Sequence, residues 1–251
     1  MALEFVDYLQ GSFSLIFVII SLIIGFSILS KYSQYKSRLY ILVGLSWIGI
    51  ATPWFPDSLS FVMNLFFHES LAIEWYFIIG NVTMPVALLV WLIAYTDMIN
   101  KKKQKLTVIL AVLFGIIFET FFFYLLITDI DQIGIISSSR PFTVEFGIFV
   151  SMFLMFVILI MFITGMIFAH KSVNSEDRNV RLKGKLLRAA FITFTIAAIL
   201  DSLLGTIFEN PTDPLLAIMV VITRILLIIS ALEFYGGFIL PSWMHDIFTK
   251  K

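Results

Sequence analysis

The chain has 251 residues, of which 60% are hydrophobic and 14% charged, and its mean hydropathy is +1.00. A soluble domain is nearer half apolar and a quarter charged, so a soluble globular fold is excluded. Net charge is zero, which leaves no basic footprint for nucleic acid, and the absence of cysteine excludes disulfides, thiolate metal sites and a cysteine nucleophile.

A membrane-spanning helix needs about 20 mostly apolar residues. Seven stretches meet that requirement: 11–30, 39–56, 75–96, 106–128, 142–169, 186–208 and 215–240. The chain therefore reads as one all-α integral membrane domain over 1–251, a seven-transmembrane helix bundle. Ahead of the first span lie Glu4 and Asp7 and no base, so that span reads as a retained helix rather than a cleaved signal peptide. Segment 57–74 is partly apolar, through Phe61, Val62, Leu65, Phe66 and Phe67; it reads as an interfacial helix over the outer mouth or as a loop tucked onto the bundle. Pro85 in the third span cannot donate to the carbonyl of Asn81, so a kink is expected there, with the Asn81 amide or a water satisfying the freed group. Segment 129–141 is a polar outer loop, and 209–214, with Pro211 and Pro214, is a tight turn that makes the sixth and seventh spans antiparallel neighbours. Ser21 and Gly25 form a small-xxx-small pair too common to indicate a dimer.

Basic residues set the orientation. Lys31, Lys36 and Arg38 follow the first span, Lys101, Lys102, Lys103 and Lys105 the third, and Lys171, Arg178, Arg181, Lys183, Lys185 and Arg188 the fifth, with Lys250 and Lys251 at the C-terminus. Fifteen of the 17 Lys and Arg thus lie on one side, which places the N-terminus outside and the C-terminus in the cytoplasm of a multi-pass cell-membrane protein. Trp54 and Trp75 suit an outer aromatic belt and Trp243 an inner one.

Of the two remaining cations, Arg140 falls in the outer loop and Arg224 inside the last span, with eight uncharged residues on either side. A permanent cation at that depth must face protein or water and find a carboxylate. At about 1.5 Å per residue, Arg224 and Glu119 lie roughly 3 Å, and Asp201 about 6 Å, to the outer side of the midplane. Asp201, on the neighbouring span, is the first-ranked partner and Glu119 the second. Glu233 is nine residues past Arg224, half a turn out of phase, so it faces elsewhere, with Arg188 or Lys36 as its expected neighbour. The cluster Arg224, Asp201, Glu119 and Asn81 is the expected ligand-binding or packing site. Lys171, Arg178, Arg181, Lys183 and Lys185 are the expected docking surface for a cytoplasmic signalling protein. The 27 Phe and 10 Met read as core packing or lipid-facing surface.

Other classes are disfavoured. His68, His170 and His245 lie in loops or at interfaces without metal-ligand spacing. No span carries a lysine, so a retinal Schiff base is excluded and no cofactor is expected. An enzyme would have to run on carboxylates alone, and none is expected.

The third span has a distinctive pattern: Trp75-Tyr76-Phe77-Ile78-Ile79-Gly80, then Met84-Pro85, Trp91 and Ala94-Tyr95-Thr96. It resembles the third helix of the seven-helix sensor region at the N-terminus of many prokaryotic histidine kinases. The resemblance implies the same N-out, C-in topology and a sensing role. Eleven residues follow Leu240, so a stand-alone module without a kinase domain is expected. The expected function is a receptor-like sensor of a small or lipidic ligand in the bilayer. The alternatives are an ion- or proton-coupled transporter, and a structural scaffold whose ion pair only holds helices together.

Overall fold

The structure is a computed structural model that describes residues 3–137, 140, 143–208, 210 and 212–249. It is a helical bundle in which seven helices are long and apolar enough to cross a membrane. In chain order these are α1 (Phe5–Tyr35); α2 (Arg38–Ile50) continued by α3 (Phe55–Phe67); α4 (Ile73–Asn81) continued by α5 (Met84–Ile99); α6 (Gln104–Thr128); α7 (Ile148–Val173); α8 (Arg178–Ile207); and α9 (Pro214–Phe238). A short α10 (Ser242–Thr249) follows. Between α6 and α7 the chain forms an antiparallel hairpin, β1 (Gly134–Ile136) and β2 (Val144–Phe146), in the register Gly134 to Phe146, Ile135 to Glu145 and Ile136 to Val144.

Two of the seven spans are broken, and proline explains both breaks. Pro53 and Pro56 lack an N–H and cannot continue the ladder of α2, so a 3₁₀ turn (Thr52–Trp54) separates α2 from α3. Pro85 lies in the first turn of α5, where its missing donor costs little, and the helix interrupts at Val82 and Thr83 instead of merely kinking. The two breaks touch: the Thr83 hydroxyl donates to the Thr52 hydroxyl at 2.8 Å, and the Thr52 hydroxyl to the Gly49 carbonyl at 2.7 Å.

The second span consequently differs from its expected 39–56. The chain does not leave the bundle at Pro56, because α3 carries on and packs along α1 with Asp57, Ser58, Ser60, Phe61 and Asn64 buried. Segment 57–74 is therefore helical as far as Phe67, with one face packed on the bundle and Leu65, Phe66 and Phe67 exposed. The sixth span begins eight residues before the expected Leu186, because Asp177 caps α8 by accepting from Asn179 N (2.7 Å) and Val180 N (3.1 Å). The fifth begins at Ile148; its expected start, Phe142, lies outside the described residues, as do Lys250, Lys251, Glu209 and Pro211.

Helix α9 is central, packed between α1 and α8; α7 packs on α8, α2 on α1 and α5, and α6 on α5. Apolar ring contacts fill the middle, such as Trp47 stacked on Phe234 at 4.2 Å and Phe118 on Phe153 at 3.6 Å between centroids. Ser21 and Gly25 are buried, and an added Cβ at Gly25 would lie 2.3 Å from Ile48 Cγ1, so that stripe joins α1 to α2 within one chain. The described basic residues Lys31, Lys36, Arg38, Lys101, Lys102, Lys103, Lys105 and 171–188 gather around the turns opposite the hairpin. At this basic end Arg38 forks onto Asp97 at 2.5 and 2.7 Å, and Lys183 donates to the Phe238 carbonyl at 3.1 Å.

Candidate functional site

The polar cluster is built from a stripe on α1. Asp7, Gln10, Ser14 and Ser21 fall three, four and seven residues apart, which places them on one helix face, and all four are buried. Asp57 enters from α3, Tyr76 from α4, Asp201 from α8 and Arg224 from α9. The loop between the two hairpin strands supplies Arg140.

Arg224 is 2% exposed and holds two carboxylates. One terminal nitrogen donates to Asp201 Oδ2 at 2.6 Å and the other to Asp57 Oδ2 at 3.3 Å. Asp57 is the hub. Its Oδ2 also accepts from Gln10 Nε2 at 3.3 Å and Ser14 Oγ at 3.5 Å, and its Oδ1 takes a short hydrogen bond from the Tyr76 hydroxyl. Asp201 Oδ2 additionally accepts from the Trp54 indole at 2.8 Å. Gln10 passes the network on, since its Oε1 accepts from Arg140 at 2.6 Å and from Thr143 at 3.4 Å. Arg140 also faces Asp7, Nε to Oδ1 at 3.7 Å.

Arg140 is 3% exposed although it sits in a connecting loop. Burial pushes its guanidinium below the usual arginine value, and the Asp7 and Asp57 carboxylates pull the other way. The hairpin is thus pinned onto the bundle by a buried cation. It also packs on α8, where an added Cβ at Gly205 would lie 3.5 Å from Glu145 Cγ.

Beside the cluster is a cavity of about 140 Å³. One wall is polar, with Gln10, Asp57, Tyr76, Arg140, Asp201 and Arg224; the other is apolar, with Ile50, Met84, Phe146, Leu154, Ile158 and Phe194. An engineered apolar cavity of ~150 Å³ takes up benzene, so this space suffices for a small organic group.

The structure brings Arg224 and Asp201 together and leaves the other two expected members out. Glu119 stands on α6, away from the cluster, with its Oε2 enclosed and without a partner among the described residues. It matches Arg224 in depth but not in direction around the bundle. Asn81 is 1% exposed, and its amide donates to the Phe77 carbonyl at 3.0 Å, one turn back, so it closes the end of α4 and does not line the cavity. Pro85 marks the adjacent break. Glu233 makes no ion pair among the described residues, with Arg188 and Lys36 included, and its Oε2 is enclosed without a partner there. Trp54 is 7% exposed and bonded to Asp201, which removes it from any aromatic belt, whereas Trp75 and Trp243 are exposed. At the basic end Lys171, Arg178, Arg181 and Lys185 are exposed and Lys183 is half-buried. Lys171 ends α7 and the others ride on the first turns of α8, so the expected basic loop is largely helix.

Trp54, Asp57, Tyr76, Gln10 and Arg140 were not anticipated. A signal existed for two. The α1 stripe has helical spacing, and Asp57 repeats at four and seven residues with Phe61 and Asn64, a face that only a buried helix explains. Among the described residues no group of His, Asp or Glu is placed to hold a metal ion. No protein-family model matches the chain, and a search of curated proteins finds no relative.

Proposed function

We propose that the protein is a multi-pass cell-membrane sensor, a stand-alone seven-helix receptor-like module that takes a small or lipidic ligand at its hairpin end. The observation that carries this reading is the cavity itself: an apolar wall faces a hydrogen-bonded ionic wall where the hairpin meets six of the seven spans. The bias of basic residues supports a hairpin end outside and a basic end in the cytoplasm. The likeness of the 75–96 pattern to histidine-kinase sensor regions supports the same topology.

Signalling requires a ligand that binds two helix arrangements unequally. Arg224 on α9 holds Asp201 on α8, so a ligand that competes for either side chain changes how α8 and α9 pack. Both helices run from the cavity to the basic end, where Lys183 of α8 bonds the last turn of α9. A cytoplasmic partner docked on Lys171, Arg178, Arg181 and Lys185 would read that change.

The test is a thermal-shift screen of small amphiphiles on purified protein in detergent, beside Asp201→Asn and Arg224→Met. Compounds that raise the melting temperature of the parent but not of the variants support the site. A broad screen without a stabilising compound overturns it. One observation favours a second reading. Broken membrane helices that meet beside buried charges are how transporters build substrate sites, and the Thr52–Thr83 contact joins two such breaks. Transport predicts ligand or proton flux into liposomes that Asp201→Asn abolishes.

A further inference from the structure

The charges of the site do not cancel. Among the described residues Asp7, Asp57 and Asp201 are ion-paired with Arg140 and Arg224 alone, three carboxyl groups against two guanidiniums. Glu145, exposed on β2, adds no positive charge. An uncompensated charge in a low-dielectric site is costly, and it is relieved by a cation.

The position for that cation is marked separately. Both hydrogen bonds to Asp201 use Oδ2. Oδ1 takes no donor among the described residues, and the Asp201 side chain keeps 18% exposure while lining the cavity. A carboxylate oxygen is acceptor-only, so Oδ1 is open to a donor that enters the cavity. The surrounding wall is aromatic and aliphatic: Trp54, Tyr76, Phe146 and Phe194 present ring surface of the kind that attracts organic cations. By contrast, both terminal nitrogens of Arg224 already hold carboxylates, and its Nε and that of Arg140 are the enclosed donors left to an anion.

We infer that the cavity takes a small primary ammonium with an apolar body, its N–H groups on Asp201 Oδ1 and its body against Phe194, Leu154 and Ile158. This rests on the receptor reading above and narrows its ligand to one chemical class. The binding step is a proton-neutral association of the charged amine; no bond is made or broken.

The experiment uses three ligands of one size, benzylamine, benzyl alcohol and benzoate, with the full chain in nanodiscs at pH 7, read by calorimetry and thermal shift. The expected result is benzylammonium at least tenfold tighter than benzyl alcohol and benzoate weakest. Asp201→Asn should cost benzylammonium about tenfold more than it costs benzyl alcohol, while Glu119→Gln, outside the cavity, changes neither. Benzoate as the tightest of the three overturns the assignment, because Arg224 would then be the ligand-facing group. A melting temperature that depends on pH but on no amine also overturns it, with a proton filling the role of the cation. If all three fail while the amphiphile screen yields Asp201-dependent binders, the ammonium inference falls and the receptor reading stands; if the screen is empty too, both fall.

Discussion

Helices α9 and α6 are both apolar and membrane-length and each carries an ionisable residue near its middle, yet the bundle treats them differently. Helix α9 is flanked by α1 and α8, and its Arg224 reaches carboxylates from α3 and α8. Helix α6 leans on α5 and on ring stacks with α7, and the enclosed Oε2 of Glu119 finds no partner among the described residues. The most apolar window of α6 is 22% buried, against 39% for α9. Depth in the membrane decides what a charge costs when unpaired. Position within the bundle decides whether it is paired, and hence which charge is organised as a site.

The largest expected effect follows from breaking the better-connected side. Arg224→Met leaves Asp57 and Asp201 buried without their cation, and loss of one partner of a buried pair costs about 3–5 kcal/mol. The variant should melt far below the parent in detergent. A melting temperature within a degree or so of the parent would mean that the pairs contribute nothing net, as compact apolar replacements sometimes show. Tyr76→Phe comes next. It removes one donor from Asp57 while Gln10, Ser14 and Arg224 stay, so about 1.5–3 kcal/mol is expected for a hydrogen bond to a charged group. Together the two variants should be less than additive, because both act on Asp57.

The difference between α9 and α6 also marks how far the sequence could be read. Seven spans, and the neighbourhood of α8 and α9, follow from apolar run length and a six-residue turn, which are local quantities. The pairing of Arg224 with Asp201 followed from that adjacency. Asp57 escaped because two prolines were read as the end of a helix when they only interrupt one. Arg140 escaped because a lone cation in a polar loop normally stays in water, and nothing local signals that a hairpin folds back to bury it. Glu119 was ranked by depth, and a linear chain holds no information on azimuth around a bundle whose packing order is unknown.

Arg140→Ala tests the hairpin's part in the cluster. The substitution removes a donor to Gln10 and the counter-charge of Asp7, both buried, so about 1–3 kcal/mol is expected. The loss should be local. Backbone amides of β1 and β2 should exchange hydrogen faster while α8 and α9 keep their protection. Equal loosening of all three would show that Arg140 stabilises the whole bundle and that the hairpin is not a separable element.

The smallest effect is expected at Glu119. Its Oε2 is enclosed against α6 itself and its neighbours, without a donor or a cation within reach among the described residues. No pairing offsets a charge there, and a lone carboxylate in an apolar medium is among the most expensive groups to bury. Glutamine has the same shape and is neutral, so Glu119→Gln should change the melting temperature by no more than surface substitutions do, about 0.5 kcal/mol or less. The same substitution in the paired carboxylate, Asp201→Asn, should cost several times as much. If Glu119→Gln instead destabilised the protein as strongly, the carboxylate would be ionised and held by a cation from a second chain against the exposed face of α6. Light scattering of the two variants would then show dissociation of an oligomer for Glu119→Gln alone, and the peripheral helix would be an interface.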